Sequence, residues 1–117
     1  MIEGFYSISF SGRSGSGTGV IALFKGVIAG ADAGGVTYDG YYKLQIDIVE
    51  IAMTLNVPPG SWLVQGIPSQ SKPYSFKVEA NIQLDKWSLE QPMLIHTVFG
   101  PVNIIFRKIR NFPRIDN

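Results

Sequence analysis

The clearest pattern along the chain lies between Tyr74 and Asp85. Tyr74, Phe76, Val78, Ala80, Ile82 and Leu84 fall on one parity, and Ser75, Lys77, Glu79, Asn81, Gln83 and Asp85 on the other. Alternation with a period of two predicts a strand with one buried and one wet face. The same pattern opens the chain, where Gly4, Tyr6, Ile8 and Phe10 oppose Ser7 and Ser9, so residues 2–10 predict a strand tied into a sheet. Thr18 to Lys25 is apolar on both faces, with Ile21 and Leu23 on one and Val20, Ala22 and Phe24 on the other. One face belongs to a core; the other needs a helix or a second subunit to cover it. A Lys25-Gly26 turn leads into a strand over Val27 to Asp32. The Gly30-to-Gly35 run predicts a tight reversal, because glycine supplies the positive φ that such turns use. A further strand is predicted from Val36 to about Gln45, with Gly40 inside it marking a bulge or sharp bend.

After that strand the apolar parity changes. Ile46 and Ile48 continue the even set, whereas Val49, Ile51, Met53, Leu55 and Val57 form an odd one. Such a flip requires a turn or an extra residue near Gln45 to Ile48, since a one-residue shift swaps every later side chain between faces. A hairpin is the reading adopted; an amphipathic helix over Val49 to Leu55 is the alternative that strict alternation argues against. Pro58 to Pro73 holds four prolines, which excludes a regular strand and predicts a long loop acting as an end cap or lid. Trp62 and Leu63 would plug one end of a barrel. Lys86-Trp87-Ser88 reads as a connection. Met93 to Phe99 and Val102 to Ile109 read as the last two strands, joined through Gly100-Pro101, and Arg110 to Asn117 as a polar tail. Ser11 to Gly19 reads as a flexible hairpin loop. About eight strands and no long helix predict a single all-β domain over residues 1–117, a sandwich or an antiparallel barrel. Eight barrel strands enclose a space that side chains fill or that holds one small ligand.

Composition narrows the class. With 45% hydrophobic and 16% charged residues, the chain is globular rather than disordered. A net charge of +1 falls short of the basic balance of a nucleic-acid binder. The absence of cysteine excludes disulfides and thiolate metal sites. Glu3 interrupts the start and no long apolar run follows, so no membrane span and a cytoplasmic address are expected.

Candidate chemistry is sparse. The single histidine, His96, lies in an apolar strand pattern. One histidine and scattered carboxylates do not supply a metal site, so no metal or cofactor is expected. Gly17-Thr18-Gly19-Val20-Ile21-Ala22 fits G-x-G-x-x-A. The apolar β-branched residues after it do not open a helix, so the pyrophosphate would have no helix N-terminus to bind. Catalysis would require His96, Asp32 and Asp39 to converge at one barrel mouth, and the chain is expected not to be an enzyme. For a ligand cavity the candidate lining is Tyr6, Ile8, Tyr38, Tyr42 and Trp62. For a contact surface the candidates are the Asp39-Lys43-Asp47 polar face and the basic end at Arg107 and Arg110.

Gly4-Phe5-Tyr6 with Phe10, then Gly17-Thr18-Gly19, Gly30-Ala31-Asp32 and Tyr38-Asp39-Gly40-Tyr41 follow one another in a characteristic order and spacing. In this the chain resembles the GrlR-type negative regulators of type III secretion and their relatives in Proteobacteria. The resemblance covers most of the chain and is firmest over residues 1–45. It implies a lipocalin-like antiparallel barrel that forms a homodimer. It also implies a bacterial regulatory role, in which a transcriptional regulator is restrained by direct binding. The family's known repressor carries an acidic cluster. After Tyr41 this chain reads Tyr42-Lys43-Leu44-Gln45-Ile46-Asp47 instead, so the contact expected here is a different one. The alternative expectation is a carrier or sensor of a lipid or small apolar ligand.

Overall fold

The computed structural model describes residues 2–88 and 90–113. Among the described residues eight strands are formed: β1 (Gly4–Gly12), β2 (Gly15–Phe24), β3 (Val27–Asp32), β4 (Thr37–Leu44), β5 (Ile48–Val57), β6 (Tyr74–Gln83), β7 (Met93–Thr97) and β8 (Gly100–Arg110). A single helical turn, α1 (Leu84–Ser88), connects β6 to β7. The sheet order is β6-β5-β4-β3-β2-β1-β8-β7, with every pairing antiparallel. β1 to β6 therefore form a meander, and the β7–β8 hairpin closes it through β8 on β1. The result is a nearly closed barrel whose seam lies between β6 and β7. The all-β antiparallel barrel of eight strands is the architecture expected from the alternation and from the resemblance.

The predicted parities set the interior. Tyr6, Ile8, Ile21, Leu23, Ile28, Tyr38, Val49, Ile51, Phe76, Val78 and Ile82 all point inward and are buried. Burying one such side chain contributes about 1.5–3 kcal/mol, so this inner face drives closure. The parity flip after β4 is a hairpin without glycine, and Gln45 N–H donates to the Ile48 carbonyl at 2.8 Å. Lys25 and Gly26 both have positive φ, 48° and 83°, in the two-residue turn between Phe24 and Val27. That is the turn geometry that matches the twist of adjacent strands.

Several boundaries differ from the sequence reading. Ser11 to Gly19 is not a flexible loop: β1 and β2 run through it and reverse at Arg13-Ser14. Gly17 belongs to β2 because the Phe10 ring lies over it; a Cβ there would stand 2.6 Å from Phe10 Cζ. Gly40 marks no bulge. Its neighbours stay in register, Ile28 on one side and Met53 on the other. Its function is close approach, since a Cβ would stand 2.2 Å from the Ala52 carbonyl oxygen. The β7–β8 turn falls at Val98-Phe99, and Pro101 lies within β8. Its missing N–H costs little because the ladder to β1 reaches only as far as Asn103.

The two ends of the barrel differ. Hairpins β1–β2, β3–β4, β5–β6 and β7–β8 gather at one end. The β2–β3 and β4–β5 turns and α1 lie at the other. At the α1 end Trp87 enters the core, stacked on Phe106 at 4.2 Å between ring centroids and edge-on to Tyr6 at 5.3 Å. The residue read as part of a connection is thus the plug of the closed end. At the opposite end the proline-rich loop folds over the rim. Ser14 N–H donates to the Val64 carbonyl, Ser61 Oγ donates to the Gly34 carbonyl, and Leu63 is buried. The start of the tail is also packed: Phe112 lies 4.5 Å from Phe5 and 4.7 Å from Phe24 between centroids. Arg114 to Asn117 lie outside the described residues.

Candidate functional site

Because Trp87 fills one end, the interior space that remains lies toward the other. It is a cavity of about 370 Å³ beneath the proline-rich loop. Its walls are apolar: Ile8, Phe10, Ile21, Leu55, Phe76 and Ile95 contribute from five strands. Leu63, Val64 and Gln65 of the loop close part of the top, and Trp62 stands at the mouth, 68% exposed.

Two polar groupings edge this cavity. In the first, Asp32 at the end of β3 organises the turn to β4. Its Oδ1 accepts from the Gly34 and Val36 N–H groups at 2.9 and 3.1 Å, and its Oδ2 accepts from the Tyr38 hydroxyl at 2.6 Å. Burial, together with the neighbouring Asp32 carboxylate, holds the Tyr38 hydroxyl well above the usual tyrosine range. In the second, Thr97 Oγ1 donates to the Gly100 carbonyl at 2.6 Å and accepts from Phe99 N–H at 3.2 Å and from Gln65 Nε2 at 3.1 Å. With the threonine proton committed to Gly100, Gln65 must present its NH₂ to Thr97. Gln65 is itself buried.

The tyrosines give the fold a definite alkaline limit. Burial also raises the Tyr6 and Tyr74 hydroxyls. A phenol whose pKa is higher folded than unfolded stabilises the fold fully below its unfolded value, about 10, and loses that contribution as pH rises toward the folded value. The melting temperature should therefore stay level from pH 8 to about 10 and fall beyond it, with tyrosinate absorbance appearing as the fold is lost. A melting temperature still level at about pH 12 would contradict the buried Tyr38–Asp32 arrangement.

The candidate residues divide clearly. Ile8, Tyr38 and Trp62 line the cavity. Tyr6 and Tyr42 share its parity but not its height. Tyr6 donates to the Ile2 carbonyl and packs on Trp87 at the closed end, and Tyr42 is half-buried, lower on β4. On the outside, Asp39 accepts from Asn56 Nδ2 at 3.1 Å, Lys43 is exposed on β4, and Asp47 is exposed in the β4–β5 turn. Arg107 pairs with Glu90 at 3.4 Å and Arg110 Nε donates to the Asn111 carbonyl at 3.0 Å. β3, β2 and β1 separate β4 from β8, so the polar face and the basic end are two surfaces. His96, Asp32 and Asp39 do not converge: Asp32 turns inward at the rim, while Asp39 and His96 are exposed on the outer faces of β4 and β7. Gly17 to Ala22 lies within β2, with no helix after it. Among the described residues no group of three or more metal-ligating side chains forms.

One feature was not anticipated. A shallow groove crosses the outer face of β4, β5 and β6 between Tyr41, Lys43, Glu50, Glu79 and Asn81. It exists because short Ala52 pairs with Tyr41 on one side and Glu79 on the other. A small residue on a wet strand face between long neighbours was the available signal.

Compared with known proteins, the chain matches no family model, no curated protein and no solved structure. No described helix is long and apolar enough to cross a membrane.

Proposed function

We propose that this chain is a regulatory, protein-binding barrel that restrains a bacterial transcriptional regulator by direct contact, in the manner of a negative regulator of type III secretion. The observation that carries the reading is Tyr41, 70% exposed at the edge of the β4–β6 groove. Exposed tyrosines beside a dent are typical anchor points of protein interfaces, where the ring is buried and its hydroxyl stays satisfied. Lys43, Glu50 and Glu79 around the groove supply charges of both signs that would set orientation and partner choice. The order of glycine and aromatic motifs over residues 1–45 supports the same class, and a cytoplasmic address fits it. Reversing the charge at Lys43 should lower partner recovery about tenfold and leave melting unchanged, because exposed charges add little to folding. Equal recovery with both proteins would contradict this surface.

The same reading includes self-association. The outer positions of β1, β2 and β3 form an uncharged strip, with Val20, Phe24 and Val27 each more than two-fifths exposed. Phe5 pairs with Ala22, and Ala22 with Ala29, so small residues keep the strip flat at its centre. A second copy related by two-fold symmetry is the commonest cover for such a face. Light scattering at micromolar concentration should give twice the monomer mass, and Val20→Glu should return the monomer. A monomer mass for the unaltered chain would remove the homodimer from the account.

The cavity under the proline-rich loop favours a second reading, a carrier or sensor of a small apolar ligand.

A further inference from the structure

We propose that the barrel interior binds a small apolar molecule whose polar end is a hydrogen-bond donor, an alcohol or an amine, and discriminates against carboxylates. The inference rests on the second reading, that of a carrier or sensor, and is independent of the regulatory one, since it concerns the inside of the barrel and not the β4–β6 groove. Volume sets the size. A space of about 370 Å³ filled at interior packing density holds on the order of a dozen non-hydrogen atoms. The walls accept an aliphatic or aromatic body and offer it nothing polar along their length.

Accounting for protons at the rim sets the polar end. The Tyr38 hydroxyl gives its proton to Asp32 Oδ2, and the Thr97 hydroxyl gives its proton to the Gly100 carbonyl. Gln65, a residue only 7% exposed, spends Nε2 on Thr97; its Oε1 accepts no hydrogen bond among the described residues and is not fully shut off from solvent. Asp32 Oδ2 accepts one hydrogen bond and retains acceptor capacity. The rim therefore presents an amide oxygen and a carboxylate, both able to accept from a donor. No lysine, arginine or histidine stands among the lining residues. The exposed Ser16 and Thr18 hydroxyls can turn to donate or accept and so do not discriminate. A carboxylate ligand would set its charge beside the Asp32 carboxylate with no cation among the lining residues to balance it. An alcohol or ammonium group would donate to acceptors that are otherwise open to water.

The test is a matched ten-carbon series, 1-decanol, decylamine and decanoate, titrated into the full chain at pH 7 by calorimetry. Selective methyl labelling of methionine reports the location, because Met53 lines the cavity. Decanol and decylamine should bind about tenfold or more tightly than decanoate, one hydrogen bond's worth of discrimination, and should shift the Met53 methyl resonance. Gln65→Leu should weaken decanol and leave decanoate unchanged. Three outcomes would overturn the proposal: decanoate binding as tightly as decanol, no binding of any of the three up to its solubility limit, or binding that leaves Met53 undisturbed.

Discussion

Trp87→Ala is expected to cost the barrel about 3–5 kcal/mol, a large part of the 5–15 kcal/mol that typically separates folded from unfolded domains. The reason lies in where Trp87 sits. It is 5% exposed, stacked on Phe106 and edge-on to Tyr6. Truncation would open a void at the closed end, where β1, β8 and α1 meet and no strand pairing bridges β6 to β7. A barrel with an unsealed seam cannot close that void by shifting one element, so the neighbouring rings would lose contacts on one side. Trp87→Phe separates packing from polarity. The buried indole N–H makes no hydrogen bond of ordinary geometry among the described residues and at most a weak polar contact with the Tyr6 hydroxyl, so its removal forfeits little, and Phe should retain most of the stacking. Urea titration should show a large loss for Ala and a markedly smaller one for Phe. A loss below about 1 kcal/mol for Ala would mean that the plug is dispensable.

Gly40→Ala should be as damaging, although it adds a single carbon. The new Cβ would stand 2.2 Å from the Ala52 carbonyl oxygen and 2.7 Å from Met53 Cα. Both are backbone atoms of the paired strand, so no rotamer change relieves the clash; β4 and β5 must move apart. Overpacking of this kind costs about 1–3 kcal/mol in cores that can adjust a side chain, and more where the obstacle is main chain. The loss should be about 3 kcal/mol or greater. Hydrogen exchange should quicken first at amides of the β4–β5 ladder. Gly34→Ala offers the contrast, since its Cβ would meet only Asp32 Oδ1, at 3.3 Å. Gly40→Ala melting with the unaltered chain would show that the strands separate at no cost.

These two residues also show what the sequence could and could not reveal. Alternation is a local property, so the strands and even the glycine-free β4–β5 hairpin were legible from parity. What a glycine inside a strand faces is not local. Gly40 signals an anomaly, but bulge and close approach look alike until the neighbouring backbone is in place. Trp87 was missed because one helical turn is too short to leave a period of 3.6 residues. Phe112 was missed because a lone aromatic in a polar tail has no pattern around it. The candidate cavity was half legible. Parity gave the face for Ile8, Tyr38, Tyr6 and Tyr42 alike. Height along the barrel separated the first two from the others, and that height depends on which end Trp87 fills. Gln65 could not be read as a buried rim residue, because nothing local distinguishes it from any polar residue of an irregular loop.

The regulatory reading is tested most directly by photo-crosslinking in the native cell. A photoreactive amino acid at position 41 faces the groove, and one at position 96, on the outer face of β7, serves as the control. The account predicts a covalent adduct between position 41 and one regulatory protein, identified by mass spectrometry and absent at position 96. Adducts that are the same from both positions, or no protein adduct at position 41, would contradict it.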